Sequence, residues 1–235
     1  MIEFLPVIVL VLTFVVLLII GVPVAWCIAI SSMFTLMLAM PVSAATTTVS
    51  QRIATGLDSF ALLAIPFFIL SGQIMSKGGI ANRLISFAKT LVGFLPGGLA
   101  LINIVSAMLM GAIAGSAMAS ASAMGTILGP EMEKEGYSKE FGAAVNITSS
   151  TTGLVIPPSN TLIVYSLASG GVSIAALFLA GYIPGILTGL LMMIVAMIWA
   201  KKNNYPVGKR SSLKEVFVKF IDAFPSLLLL VIVIG

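Results

Sequence analysis

Hydrophobic positions along this chain come in long runs rather than in a repeating stripe. Residues 4–21 and 23–40 are almost wholly apolar and are parted by Gly21 and Pro23, which predicts two membrane spans joined by a tight turn. A polar stretch follows, Ser43 to Asp58 with Thr46, Thr47, Thr48 and Arg52. A third apolar run then covers 59–76, where Pro66 predicts a kink. Residues 77–96 change character. Lys77, Arg83 and Lys89 recur every six residues among Ile80, Leu84, Ile85 and Phe87, the pattern of an amphipathic helix lying in the membrane interface. Pro96-Gly97-Gly98 ends it.

Residues 99–130 carry no charge but are punctuated by Gly111, Gly115, Gly125 and Gly129-Pro130. The stretch is too long for one untilted span and too short for two spans and a turn. A re-entrant hairpin fits: 99–114 inward, a tip at Gly115–Ser116, and 117–130 outward. Gly111, Gly115 and Ala119, four apart, would let neighbouring backbones approach closely. After a charged loop (Glu131 to Glu140) comes an apolar stretch, 141–170, that cannot be one helix. Pro157 and Pro158 remove two backbone donors and clash with a continuing helix. A span follows over 172–200, then a basic segment, Lys201 to Lys214, and a second amphipathic stretch over 215–223. The last apolar run, Phe224 to Gly235, is about twelve residues against roughly twenty for a span, so the natural protein is expected to continue.

Composition turns these runs into a class. The chain is 59% hydrophobic and 9% charged with a mean hydropathy of +1.17, far from a soluble domain. An all-α polytopic membrane protein is expected. The run from Phe4 to Gly21 has no basic leader or small-residue cleavage site and reads as a span. Cys27 reads as packing. The net charge of +4 lies in loops beside spans, so it marks topology and not nucleic acid. Basic segments stay in the cytoplasm, so 77–89 and 201–214 belong on that side. A re-entrant 99–130 leaves two crossings between them, which satisfies both. Tracing back through three spans puts the N-terminus in the periplasm.

Two clusters could carry chemistry. Ser116, Ser120 and Ser122 surround the hairpin tip, where small polar residues also suit plain helix packing. Ser159, Asn160 and Thr161 follow the double proline, and Thr148 to Thr152 precede it. A broken helix survives in a bilayer only where protein or water satisfies its freed backbone, and such breaks form ion and substrate sites in carriers. Both clusters are uncharged and rich in oxygen, which suits a monovalent cation better than calcium. Na⁺ is therefore expected between tip and break, held by Gly115, Ser116, Ser120, Gly153, Ser159 and Asn160. Ser122, Pro158 and Thr161 are expected to meet substrate, and the start of a helix near Ser159 favours an anion. The chain has no His, and no Asp or Glu at 59–130 or 141–214, so neither a proton relay nor an intramembrane hydrolase is expected. Nor is there a P-loop. The chain does not read as an enzyme.

Six ordered runs carry a resemblance over nearly the whole chain: LLAIPFFILSGQIM (62–75), GGIANRLISFAKTLVGFLPGGLA (78–100), GSAMASASAMG (115–125), EKEGYSKEFGAAV (133–145), IPPSN (156–160) and LFLAGYIPG (177–185). The chain resembles the large membrane subunit of tripartite ATP-independent periplasmic (TRAP) transporters, with the Ser-Asn-Thr region nearest the sialic-acid members. The resemblance implies a Na⁺-coupled importer of an organic or sugar acid, sialic acid or a C4-dicarboxylate, in the bacterial inner membrane. It implies a small membrane subunit and a periplasmic substrate-binding protein as partners. It also implies an elevator built from inverted repeats, of which this chain holds the first. On that reading 1–76 are scaffold spans, 77–96 an arm, 97–200 transport domain, and 201–235 a basic loop, second arm and partial span. Two alternatives stay open, a carboxylate elevator carrier working without a binding protein and an ion channel with the break as filter.

Overall fold

A computed structural model describes residues 4–58 and 60–234, all of the regular structure being helical among them. The chain divides into two compact units, one up to Phe60 and one from Ala61. In the first, α1 (Leu5–Ile19) and α2 (Val24–Met37) pack together across a turn in which Gly21 takes φ +86° and Pro23 starts α2. No α1 side chain is buried, and Leu12, Val15, Val16 and Ile19 stand exposed, as they can against lipid. Cys27 is buried, its thiol donating to the Val22 carbonyl. The polar stretch forms a third helix, α3 (Val42–Leu57). The hydroxyls of Thr46, Thr47 and Thr48 return to the carbonyls of Val42, Ser43 and Ala44 at 3.0, 2.8 and 2.7 Å, so the threonines need no other partner.

The second unit is built around α6 (Gly98–Ala114), nearly all of whose residues are buried. Five other helices pack on it, α5 (Ile80–Val92), α7 (Ala117–Lys134), α8 (Lys139–Ser150), α10 (Ile174–Lys202) and α11 (Leu213–Ile234), together with a short 3₁₀ turn in the broken segment. The remaining helices are α4 (Phe60–Lys77) and α9 (Asn160–Ala168). Several bounds differ from the sequence expectation. The amphipathic helix starts at Ile80, after Gly79 at φ +78°, and Lys77 belongs to α4. α7 runs through Pro130 to Lys134, taking in Glu131 and Glu133. α11 joins the second amphipathic stretch to the last apolar run without interruption. α5 buries Ala81, Leu84, Ile85 and Ala88, and its Phe87 ring meets Phe220 of α11 at 5.7 Å. The two amphipathic stretches therefore pack on each other.

Helix ends gather at one end of this unit. Ser138, the N-cap of α8, donates its N–H to the Tyr205 hydroxyl (3.3 Å), just past α10. Tyr137, Phe141, Trp199 and Tyr205 stack there, with Tyr137 and Tyr205 centroids 4.3 Å apart. Burial pushes the Tyr137 phenol up to about 12, so it stays a neutral stacking partner. A bridge between Pro96 and Val207 ties the start of α6 to the same place. Among the described residues, α10 is the one helix long and apolar enough to cross a membrane. α1, α2, part of α4 and α6 are shorter apolar helices.

Candidate functional site

α6 and α7 form a helical hairpin. Gly115 closes α6 at φ +61°, a conformation costly for any residue with a Cβ, and Ser116 caps α7 by accepting from Ala119 N–H at 3.4 Å. Ser120, fully buried, donates to the Ala107 carbonyl at 3.1 Å and ties the two arms together one turn below the tip. Across from this tip lies the break. α8 ends at Ser150 and passes into a 3₁₀ turn, Thr151–Leu154. After it come Val155, Ile156 and a cis Pro157–Pro158 bond, and α9 begins at Asn160.

The prolines explain the local chemistry. In an unbroken helix the N–H groups of residues 157 and 158 would reach the carbonyls of Gly153 and Leu154. Proline supplies neither. The Ser159 hydroxyl takes over for Leu154, donating to its carbonyl at 2.6 Å, and accepts from Leu162 N–H at 3.4 Å as the N-cap of α9. No donor among the described residues does the same for Gly153. The Asn160 side chain adds a second open acceptor, because its Oδ1 is buried without a hydrogen-bond partner. A buried, unpaired amide oxygen is costly unless something meets it.

Tip and break touch directly. Asn160 donates its N–H to the Gly115 carbonyl at 3.3 Å, bonding the start of α9 to the end of α6. A Cβ on Gly111 would overlap Gly153 Cα, and one on Gly115 would lie 2.8 Å from the Pro158 carbonyl oxygen. The small residues noted in the sequence thus serve the approach of the break itself. From behind, α10 receives the break on its own glycines. A Cβ on Gly181 would come within 2.5 Å of the Val155 carbonyl, and one on Gly185 within 2.5 Å of Ile156.

Six of the expected residues, Gly115, Ser116, Gly153, Pro158, Ser159 and Asn160, therefore meet at one joint. Ser120 lies beneath it with its hydroxyl committed to the hairpin. Ser122 and Thr161 are exposed and take no part in the joint's hydrogen bonds. Ser122 instead shares with Ser116, Gln73 and Thr126 a cleft of about 630 Å³ between α4 and α7. The joint also collects helix ends. α6 brings carbonyls at its C-terminus, while α7 and α9 bring N–H groups at their N-termini, so cation-seeking and anion-seeking dipoles converge without a charged side chain. From Phe141 to Ala200 the chain carries no charge at all.

Two supporting residues escape a sequence reading. Asn103, buried in α6, accepts from the Ser149 hydroxyl at 3.2 Å, and Asn146 of α8 donates to the Ala121 carbonyl of α7 at 2.9 Å. They brace the hairpin against α8. Asn146 sits in an Asn-Ile-Thr sequence that resembles a glycosylation acceptor, which hides its role. The signal available was a lone amide within an apolar run, since such a group needs a partner inside the protein.

Comparison with known proteins places these features in a lineage. Residues 11–235 match the family model described as the tripartite ATP-independent periplasmic transporter, DctM component. An uncharacterized protein, YgiK, of Salmonella typhimurium is 55% identical over 98% of this chain and 53% of its own length. The C4-dicarboxylate TRAP transporter large permease protein DctM of Vibrio cholerae is 40% identical, over 92% of this chain and 48% of its own. The sialic acid TRAP transporter large permease protein SiaM of the same organism is 38% identical, over 79% and 43%. The chain spans about half the length of the curated relatives it matches.

Proposed function

The chain belongs to the DctM family of TRAP transporter large permeases, and on that premise we propose that it forms the first half of a Na⁺-coupled organic-anion importer, with the ion at the hairpin–break joint. The observation that carries this reading is the pair of acceptors with no donor among the described residues, Asn160 Oδ1 and the Gly153 carbonyl, on two residues that meet the hairpin tip. Neutral oxygens of this kind fit a monovalent cation. An ion meeting them would fix the tip of α6–α7 against α9 and so complete an anion site at the α7 and α9 N-termini. Ser116, Ser122, Pro158 and Thr161 are the groups proposed to face that anion. Relatives named for a C4-dicarboxylate and for sialic acid stand at 40% and 38% identity, so carboxylate-bearing substrates are the class proposed.

A membrane placement is proposed on the same geometry. The start of α6, the end of α7 and the segment after α10 lie at one end of the unit, which supports a re-entrant hairpin between two basic cytoplasmic segments. In the proposed mechanism this unit moves as an elevator in the bacterial inner membrane, N-terminus periplasmic, and is served by a small membrane subunit and a periplasmic binding protein. Na⁺-dependent uptake into proteoliposomes holding the complete permease and both partners tests the site. Asn160→Ala should raise the half-saturating Na⁺ concentration roughly tenfold or more, the cost of one ion contact, with helix content kept because Ser159 still caps α9. Unaltered Na⁺ dependence would remove Asn160 from the ion site.

A further inference from the structure

A cavity of about 360 Å³ lies at the end of the second unit where the helix termini gather, between α5, α11, the start of α6 and residues 206–211. Four basic side chains line it, Lys89, Lys209, Arg210 and Lys219, against two acids, Glu135 and Glu215. Lys89 and Lys219 each have an acidic neighbour, Glu131 at 3.5 Å and Asp222 at 3.7 Å. Lys209 and Arg210 have no ion pair among the described residues. The Arg210 guanidinium lies 5.5 Å from the Phe94 ring centroid, and stacking there holds its planar fork ready for a bidentate anion. Thr90 and Ser211 add hydroxyls to the wall. The face of α11 turned away from Glu215 and Lys219 is apolar and uncovered, with Phe217 64%, Val218 50% and Ile221 55% exposed.

A basic, hydroxyl-rich hollow on a helix whose other face is bare and apolar matches a bilayer surface with anionic heads. We propose that this cavity binds the headgroup of an anionic phospholipid, its acyl chains in the bilayer that takes up the apolar face of α11. Arg210 and Lys209 would take the phosphate, as charge-assisted donors do. Phospholipid is favoured over a free anion because α5 and α11 are amphipathic, and α11 carries both cavity-lining charges and an exposed apolar face suited to a bilayer surface. Basic pockets between membrane helices on the cytoplasmic side hold lipid heads for the same reason. The bound lipid would lie against the packed pair α5 and α11, and so would anchor them at the bilayer surface. The inference uses neither the Na⁺ site nor the direction of transport, so it can fail or stand without them.

The complete permease, purified in detergent, tests this by thermal melting and native mass spectrometry with added phosphatidylglycerol, cardiolipin, phosphatidylcholine or inorganic phosphate. The two anionic lipids should raise the melting temperature by about 2–4 °C and remain bound, while phosphatidylcholine should not. The pair Lys209→Gln and Arg210→Gln should weaken their binding roughly tenfold or more. Lys201→Gln with Lys202→Gln removes the same charge outside the cavity and should leave binding intact. If the first pair melts abnormally without lipid, Lys219→Gln alone replaces it, with a smaller loss expected. Equal retention of phosphatidylcholine, an equal shift with phosphate alone, or equal losses in both double variants would each overturn the proposal.

Discussion

Pro66, Pro184 and Pro225 lie inside helices that continue past them, whereas Pro157 and Pro158 end one. The difference lies in what stands around each. A lone proline removes one helical hydrogen bond, and neighbouring packing lets the helix bend and go on. At 157–158 two consecutive donors are lost, and the next residue, Ser159, is a strong N-cap that restarts a helix in a new direction. The long helix α10 also presents Gly181 and Gly185 to the irregular segment, so its backbone is shielded by protein and not by lipid. A break in a membrane helix is thus a designed joint, made by a cap and a glycine seat as much as by proline.

That contrast can be probed from its strongest feature downward. Gly111→Val should be the most damaging change, because its side chain would fill the contact with Gly153. A loss above about 3 kcal/mol is expected, seen as failure to recover a monodisperse permease or as a much lower melting temperature. Gly129→Ala, whose Cβ meets nothing within 4 Å, should be neutral or stabilising by up to about 1 kcal/mol. Ser159→Ala should cost about 1–2 kcal/mol, since it uncaps α9 and strands the Leu154 carbonyl. Ser138→Ala, at an exposed cap with its bond to Phe141 N–H at 3.2 Å, should cost less, about 0.5–1 kcal/mol, in the same melting assay. A similarly small effect is expected of Pro184→Ala, within about 1 kcal/mol and with Na⁺-dependent uptake kept, because α10 is helical there already. A large loss of uptake at Pro184 would erase the distinction between kink and joint.

Much of the joint was legible in the sequence because its signals are local. The turn at Gly115–Ser116 and the restart at Asn160 follow from glycine, proline and serine acting on their own backbone. What stayed hidden depends on distant partners. The 46-residue separation of Asn103 and Ser149 leaves no trace in either neighbourhood. Nor does a pattern of charges show that Phe87 of α5 will meet Phe220 of α11. The polar stretch of α3 assigns itself no element in the sequence, because its threonines carry no helical stripe, yet each hydroxyl closes on a carbonyl in its own helix. Pro130 read as a terminus but sits within α7, as an isolated proline can.

The most direct measurement is a cryo-EM map of the complete permease in saturating Na⁺ compared with one in choline. The account predicts ion density bounded by Asn160 Oδ1 and the Gly153 and Gly115 carbonyls, absent in choline. A map in which Asn160 Oδ1 accepts a protein hydrogen bond and the ion sits elsewhere would contradict it.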